Sequence, residues 1–192
     1  QLFLRRVLEA SPDMELEFLW FDPRQRDKWP VDIAGRLRDA KYDAFLVGDL
    51  DAAALGQDQL QLLAEAVGRG KGLALLGGYH SFGAGGYFDT PLADVMPITM
   101  DRLERQDFDA PLRQDLHLAG PLRIRPSGSH PLTSLASDAE NAAAWERLPP
   151  LAGANKFVAV KEAAGVRVVA ESDAGQPLLV VGEYGRGRVA AM

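Results

Sequence analysis

Between Gly72 and Gly86 the chain reads GLALLGGYHSFGAGG, an apolar run that breaks into glycines and then presents Tyr79, His80 and Ser81 in succession. A sharp turn after a strand is where α/β hydrolases expose a nucleophile, because small neighbours let the backbone bend and lift one side chain clear. Gly77 and Gly78 supply the small residues before such a turn. The apex falls on Tyr79 or Gly78, and neither is a serviceable nucleophile: a phenol titrates at about 10 and glycine has no side chain. Ser81 attacks a carbonyl only with a base in hydrogen-bond reach, and adjacent side chains in a tight turn diverge, which makes His80 a poor base for it. The leading reading is a tight turn with satisfied polar groups. A hydrolase built on Ser81 and His80 is the alternative.

Three further groups bear on chemistry. Asp22, Asp49 and Asp51 each follow an apolar stretch and carry oxygens that hard cations prefer, but acidic residues there also cap the next helix. Capping is the expectation, with no metal and no cofactor. Gly83-Ala84-Gly85-Gly86 bares backbone N–H groups that could cradle an anion, yet Phe88 stands where a dinucleotide fingerprint wants its third glycine, and no phosphate-binding lysine follows. Tight folding over a sheet edge is the expected role. His130, in Ser129-His130-Pro131-Leu132, reads as a loop or cap residue. Trp145, Leu148 and Leu151 read as anchors of a coil to the core, and Arg186 and Arg188 mark a hairpin tip.

Composition narrows the partners. The 192 residues carry a formal net charge of -6, which disfavours nucleic acid because phosphate binding needs clustered cations. The densest basic stretch, Arg102 to Arg125, reads as a solvated face. No apolar run approaches the roughly 20 residues of a membrane helix, so no direct membrane insertion by this segment is expected. There is no cysteine, which leaves redox compartment and localisation open.

The elements that must position these groups follow from periodicity. Leu4, Val7 and Leu8 share a helical face that Ser11-Pro12-Asp13 ends. Met14 to Phe21 alternates apolar and acidic residues as a strand does. A helix is predicted from Pro30 to Ala40, a strand from Tyr42 to Val47, then a helix on Leu60, Leu63, Ala64 and Val67 closed by Gly70. Gly72 to Leu76 is a strand apolar on both faces, as in a parallel sheet covered on both sides. Thr90-Pro91 opens a short helix on Leu92, Val95 and Met96 that Pro97 stops, and Ile98 to Pro150 reads as loops and short strands. Phe157 to Val160, Val166 to Glu171, Gln176 to Tyr184 and Arg188 to Met192 form an antiparallel meander. The carboxyl edge of the parallel strands, where open α/β sheets bind ligands, would gather Asp22, Asp49, Asp51, Tyr79, His80 and Ser81.

Several stretches carry a resemblance: Tyr42-Asp43-Ala44-Phe45-Leu46-Val47, the run from Gly72 to Gly83, Asp89 to Pro97, Ser129-His130-Pro131-Leu132, Trp145 to Leu151, and Tyr184 to Val189. In order and spacing these are similar to the glutamine amidotransferase-like domains of bacterial membrane-anchored proteins, in the class I glutamine amidotransferase-like superfamily. The resemblance implies a flavodoxin-like three-layer α/β sandwich, a parallel core sheet with the antiparallel meander at its C-terminal side. It also implies one domain over 1–192, cut at both ends from a longer protein. Members that work as amidotransferases use a cysteine at the turn, a histidine and a carboxylate. The cysteine position falls here on Tyr79, or on Gly78 if shifted by one, so glutamine hydrolysis through a thioester is not expected of this domain.

The expectation is therefore a noncatalytic domain acting as a ligand-binding or protein-interaction module of a larger envelope-associated bacterial protein. Gly77, Gly78, Tyr79, His80, Ser81 and Asp49 are the ligand-binding candidates, for a small polar ligand or a protein partner. The alternatives are the Ser81/His80 hydrolase, acting on an amide or sugar, and a structural or oligomerisation module.

Overall fold

A single hairpin decides the architecture. β9 (Pro177–Tyr184) and β10 (Gly187–Ala191) pair antiparallel, and β10 pairs parallel with β2 (Gly72–Leu75) on its other side. The C-terminal meander and the parallel strands are thus one mixed sheet of six strands, in the order β1-β2-β10-β9-β8-β5, with β1 at Ala44–Val47, β5 at Ile124–Pro126 and β8 at Arg167–Ser172. The computed structural model describes residues 2–39 and 41–192. Two short pairs lie outside the main sheet: β3 (Ile98–Thr99) with β7 (Ala159–Val160), and β4 (His117–Leu122) with β6 (Leu151–Asn155).

The core lies between the sheet and α3 (Gly56–Gly68), whose Leu60, Leu63, Ala64 and Val67 meet Leu73, Leu75, Val189 and Ala191 from the strands. Each fully buried leucine or valine contributes about 1.5–3 kcal/mol relative to exposure, so this stripe dominates the local energetics. Gly70, at φ 120, ends the helix as predicted. α2 (Ala34–Arg38) and α4 (Leu92–Val95) flank α3 and send Leu37, Leu92 and Val95 into the same core. On the second face of the sheet Ala44, Leu46 and Arg188 are exposed, Leu46 by 47%. The fold is a mixed α/β arrangement in which α2, α3 and α4 gather on one face of β1, β2 and β10, while α5 packs against β5.

Four sequence expectations need correction. Met14 to Phe21 forms no strand: no neighbour among the described residues offers it a ladder, and Met14 and Trp20 are exposed. Glu17 instead bonds Arg36 and Tyr42 and lies 3.7 Å from the Lys41 ammonium, so charge pairing fixes the segment. The helix expected over Pro30–Ala40 is only Ala34–Arg38, and Ala40 lies outside the described residues. The Gln59 side chain explains the shortening: its amide donates to Val31 O at 2.8 Å and its oxygen accepts from Ile33 N at 2.6 Å, holding 31–33 out of the helix. Phe157 to Val160 leaves the meander to pair, as β7, with β3. Finally, α1 (Leu2–Glu9) is joined by a helix the pattern did not suggest, α5 (Asp138–Glu146). Among the described residues no helix is long and apolar enough to cross a membrane.

Candidate functional site

Three strand ends converge at the glycine turn. Leu76 N donates to Val47 O at 2.8 Å and Gly77 N to Met192 O at 2.6 Å, which stitches the segment after β2 to those after β1 and β10. Asp49 then reaches across and accepts from His80 N at 2.7 Å. Its carboxyl group lies so close over Gly78 that a Cβ there would sit 2.1 Å from Asp49 Cγ, which is why the position is glycine. Asn155, from the end of β6, donates its amide to Gly78 O at 2.9 Å. Gly77, Gly78, Tyr79, His80, Ser81 and Asp49 are brought together at the carboxyl edge of the parallel strands.

Inside that turn the Ser81 hydroxyl and the His80 backbone N–H are spent on the protein itself, while the His80 ring is not. Ser81 is buried, and its hydroxyl donates to Leu76 O at 2.8 Å. His80 turns away from it: the ring stacks on Phe108 with centroids 3.8 Å apart and planes 16° from parallel, and Nδ1 is buried without a partner. Ser81 and His80 do not form a nucleophile–base pair. Tyr79 is half exposed, its ring 5.2 Å from that of His117. His117 Nδ1 lies 3.0 Å from Arg113 O and donates to it, and Nε2 is buried without a partner.

Burial lowers the His80 pKa from 6.5, against the pull of the Asp49 and Asp51 charges. The folded chain then binds this proton less readily than the unfolded chain, so stability is intact above pH 6.5 and falls as pH drops from there toward the depressed folded value. The urea midpoint is expected to fall between about pH 7.5 and 5.5, and His80→Phe, which keeps a stacking ring and removes the titration, is expected to flatten that fall. An unaltered pH slope in His80→Phe would assign the effect to other groups.

The glycine loop is not an anion cradle. Gly83, Ala84 and Gly85 are buried, and Gly85 N, Gly86 N and Tyr87 N donate to Ser81 O, Gly83 O and Phe82 O at 3.0, 3.0 and 3.1 Å. Tyr87 below them is wholly buried, its phenol pKa raised by that burial, and donates to Leu50 O at 2.8 Å. Tyr87→Phe would strand that carbonyl and is expected to lower stability by about 1.5 kcal/mol, read from urea denaturation.

A strap that the basic run concealed closes over the turn. Arg105 donates to Asp51 Oδ2 at 2.6 Å and to Ala84 O at 3.1 Å. Gln106, 2% exposed, organises the rest: its N–H donates to Ala84 O, its amide to Asp107 O, and its oxygen accepts from Arg113 N. Phe108 thereby lies on His80, with Trp29 edge-on behind it at 5.7 Å. The stretch from Arg102 was expected to be a solvated face; at Arg105 it is a clamp, because the buried Asp51 carboxylate needs a cation. Sequence pattern offered no signal for Gln106 or Phe108.

The remaining candidates have structural posts. Asp22 accepts from Arg24 N at the start of a 3-10 turn, and Asp51 accepts from Ala53 N at another. Among the described residues no group of three or more His, Cys, Asp or Glu could hold a metal ion. His130 Nδ1 accepts from Leu132 N at 3.2 Å, a cap as expected. Trp145 is tied down through Nε1 to Thr133 O at 2.8 Å, whereas Leu148 is exposed and anchors nothing. Arg186, at the hairpin tip, donates to Arg69 O. A broad depression of about 500 Å³ is lined by Arg26, Arg105, Asp107, Phe108, Asp109 and Ala110, beside the turn and not within it. Its two arginines are already paired, Arg26 with Asp109 at 2.7 Å and Arg105 with Asp51.

Residues 25–192 match the sequence profile of the family described as "Putative glutamine amidotransferase". The chain belongs to that family. Among solved structures this glutamine amidotransferase-like domain is similar to the cytoplasmic protein STM1381 of Salmonella typhimurium LT2, at 30% identity and a TM-score of 0.59, over 80% of this chain and 60% of that one. It is similar also to the cytoplasmic protein STM3548 of Salmonella typhimurium, at 26% identity and a TM-score of 0.58, over 87% of this chain and 65% of that one. It therefore spans less than two thirds of either relative. No curated protein matches it. Within the glutamine amidotransferase-like domain the turn after β2 presents Tyr79, and no thiol exists anywhere in the chain to form a thioester.

Proposed function

We propose that this is a noncatalytic glutamine amidotransferase-like domain, built on the flavodoxin-like plan and serving as a protein-interaction module of a larger bacterial protein. The observation that carries the reading is the pairing inside the turn. Asp49 is spent on His80 N, Ser81 on Leu76 O and Asn155 on Gly78 O, so the carboxylate, hydroxyl and amide of the turn already have protein partners, and the His80 ring lies stacked on Phe108. A small-ligand role draws less support, because the neighbouring depression is lined by arginines in ion pairs. A membrane-anchored parent, which the resemblance implies, draws none from the Salmonella relatives, both described as cytoplasmic proteins.

The test is ammonia release from glutamine by the natural full-length protein beside its Ser81→Ala and His80→Ala variants. All three are expected at the buffer background. Glutamine-dependent release that either substitution abolishes would overturn the reading and restore the hydrolase.

A further inference from the structure

The strap over the turn is held down by few contacts, and one of them carries a titratable ring. Of residues 102–115 only Gln106 is buried, and Leu103 and Leu112 are exposed by 74% and 45%. Segments with so little buried surface open on their own, without unfolding the core beneath them. The strap is fastened where Gln106 N donates to Ala84 O at 3.1 Å, where Arg105 pairs with Asp51, where Arg26 donates to both Asp109 oxygens at 2.7 and 2.8 Å, and where Phe108 lies on the His80 ring. The Arg26–Asp109 pair is exposed and contributes little. The stacked ring is different. Its Nδ1 is buried without a partner, so a proton placed there finds no acceptor while the strap is closed.

We propose that the strap is an acid-released latch over the turn, closed while the His80 imidazole is neutral and opened when the ring takes a second proton. Opening hydrates the groups it separates. The ring gains water as a partner, and Asp51 and Arg105 are wetted together, so neither charge is stranded in the interior. The groups facing the ring set the direction. Burial is the largest influence and opposes the proton, with the Arg105 charge on the same side, while Asp49, Asp51 and a backbone hydrogen bond with Gln106 favour it. Arg26, whose guanidinium lies 5.4 Å from the Phe108 ring centroid, adds a second cation to the stack, and Asp107 and Asp109 beside Phe108 are exposed. The balance holds the closed-state pKa below 6.5, so protons favour the open strap as pH falls from there. Glu104 works the other way: its carboxyl lies against Gly83, burial raises its pKa, and once protonated it favours the closed strap. Release uncovers His80, Phe108, Trp29 and Asp51 together, an aromatic face with an acidic centre. Its use by a partner rests on the interaction reading; the opening itself does not.

None of the results that test the latch bears on ammonia release, so the latch and the noncatalytic reading can fail separately. In the natural full-length protein, hydrogen exchange of the peptide spanning Arg105 to Arg113 is followed by mass at about pH 7.5 and 5.5, each rate taken against an unstructured peptide of the same sequence. At the higher pH the strap is expected to exchange at least about a hundredfold faster than α3, because it opens locally. Its protection is expected to fall about threefold or more at the lower pH, toward the ceiling of about tenfold that one imidazole of ordinary pKa sets. His80→Phe keeps a stacking ring and loses the titration, and its protection is expected to stay within about twofold over the same range. Should that variant not fold, the ring signal of His80, one of three histidines in residues 1–192, is titrated by NMR in the unaltered protein, and a midpoint below 6.5 is expected. Strap protection equal to that of α3, no fall with acid, an equal fall in His80→Phe, or a His80 midpoint at 6.5 or above would each overturn the latch.

Discussion

Gly85→Ala is expected to lower stability by about 3 kcal/mol, among the largest effects a single added methyl group can have. A Cβ at this position would lie 2.1 Å from His80 O and 2.7 Å from the carbonyl carbon, so the clash is with backbone and no rotamer relieves it. That carbonyl cannot retreat easily. The His80 N–H is fixed on Asp49 at 2.7 Å and the next residue, Ser81, is fixed through its hydroxyl on Leu76. Gly85 itself is held on both sides, donating to Ser81 O at 3.0 Å and accepting from Ala52 N at 2.9 Å. Gly86→Ala makes the contrast: there φ is 80 and the close atom is the Arg105 guanidinium at 3.1 Å, the end of a long side chain. Its cost is the backbone preference, about 1 kcal/mol, together with the small shift it asks of Arg105 Nη1, which is held on Asp51 and Ala84. Urea denaturation of the two variants checks the ordering, and a Gly85→Ala loss no larger than that of Gly86→Ala would mean the loop is looser than its hydrogen bonds indicate.

The same turn shows what the sequence could and could not carry. Its place was legible because a continuous apolar run ending in paired glycines has few other uses than a buried strand feeding a tight bend. The identity of Asp49, Tyr79, His80 and Ser81 as neighbours followed from that placement. What remained hidden was the cover. Arg105, Gln106 and Phe108 come from an irregular segment whose conformation is set by single contacts to Asp51, Ala84 and His80, and such contacts leave no periodicity to read. The Met14 to Phe21 error has a different origin: alternation reports an amphipathic extended chain, while a strand also needs a neighbour to bond with. α5 could have been found, since Ser137 and Glu140 have the spacing of a capping box, although here the Ser137 hydroxyl donates to the Glu140 carboxylate at 2.7 Å and caps no backbone N–H. Its low apolar content hid it behind the surrounding loops.

The pair that fastens the cover gives the second large effect, and it is asymmetric. Asp51 is 2% exposed at its side chain, and Arg105 is 35% exposed. Arg105→Ala leaves a carboxylate in the protein interior with, among the described residues, only the Ala53 N–H, at 3.0 Å, to solvate it. Breaking a buried pair in that way costs about 3 kcal/mol or more. Asp51→Ala leaves a guanidinium that can turn to water, so its cost reduces to the lost ion pair and the lost cap of the Ala52–Ala54 turn, about 2 kcal/mol together. Arg105→Ala is therefore expected to be the more damaging substitution although it removes the more exposed residue. Hydrogen exchange separates the two effects: both variants should speed exchange at Gln106 N, which donates to Ala84 O, while only Asp51→Ala should also free Ala53 N. The double variant should cost less than the two single losses added, because neither charge is then left without its partner. Additive losses would mean that Asp51 and Arg105 act separately, and that the strap is held over the turn by Gln106 and Phe108 alone.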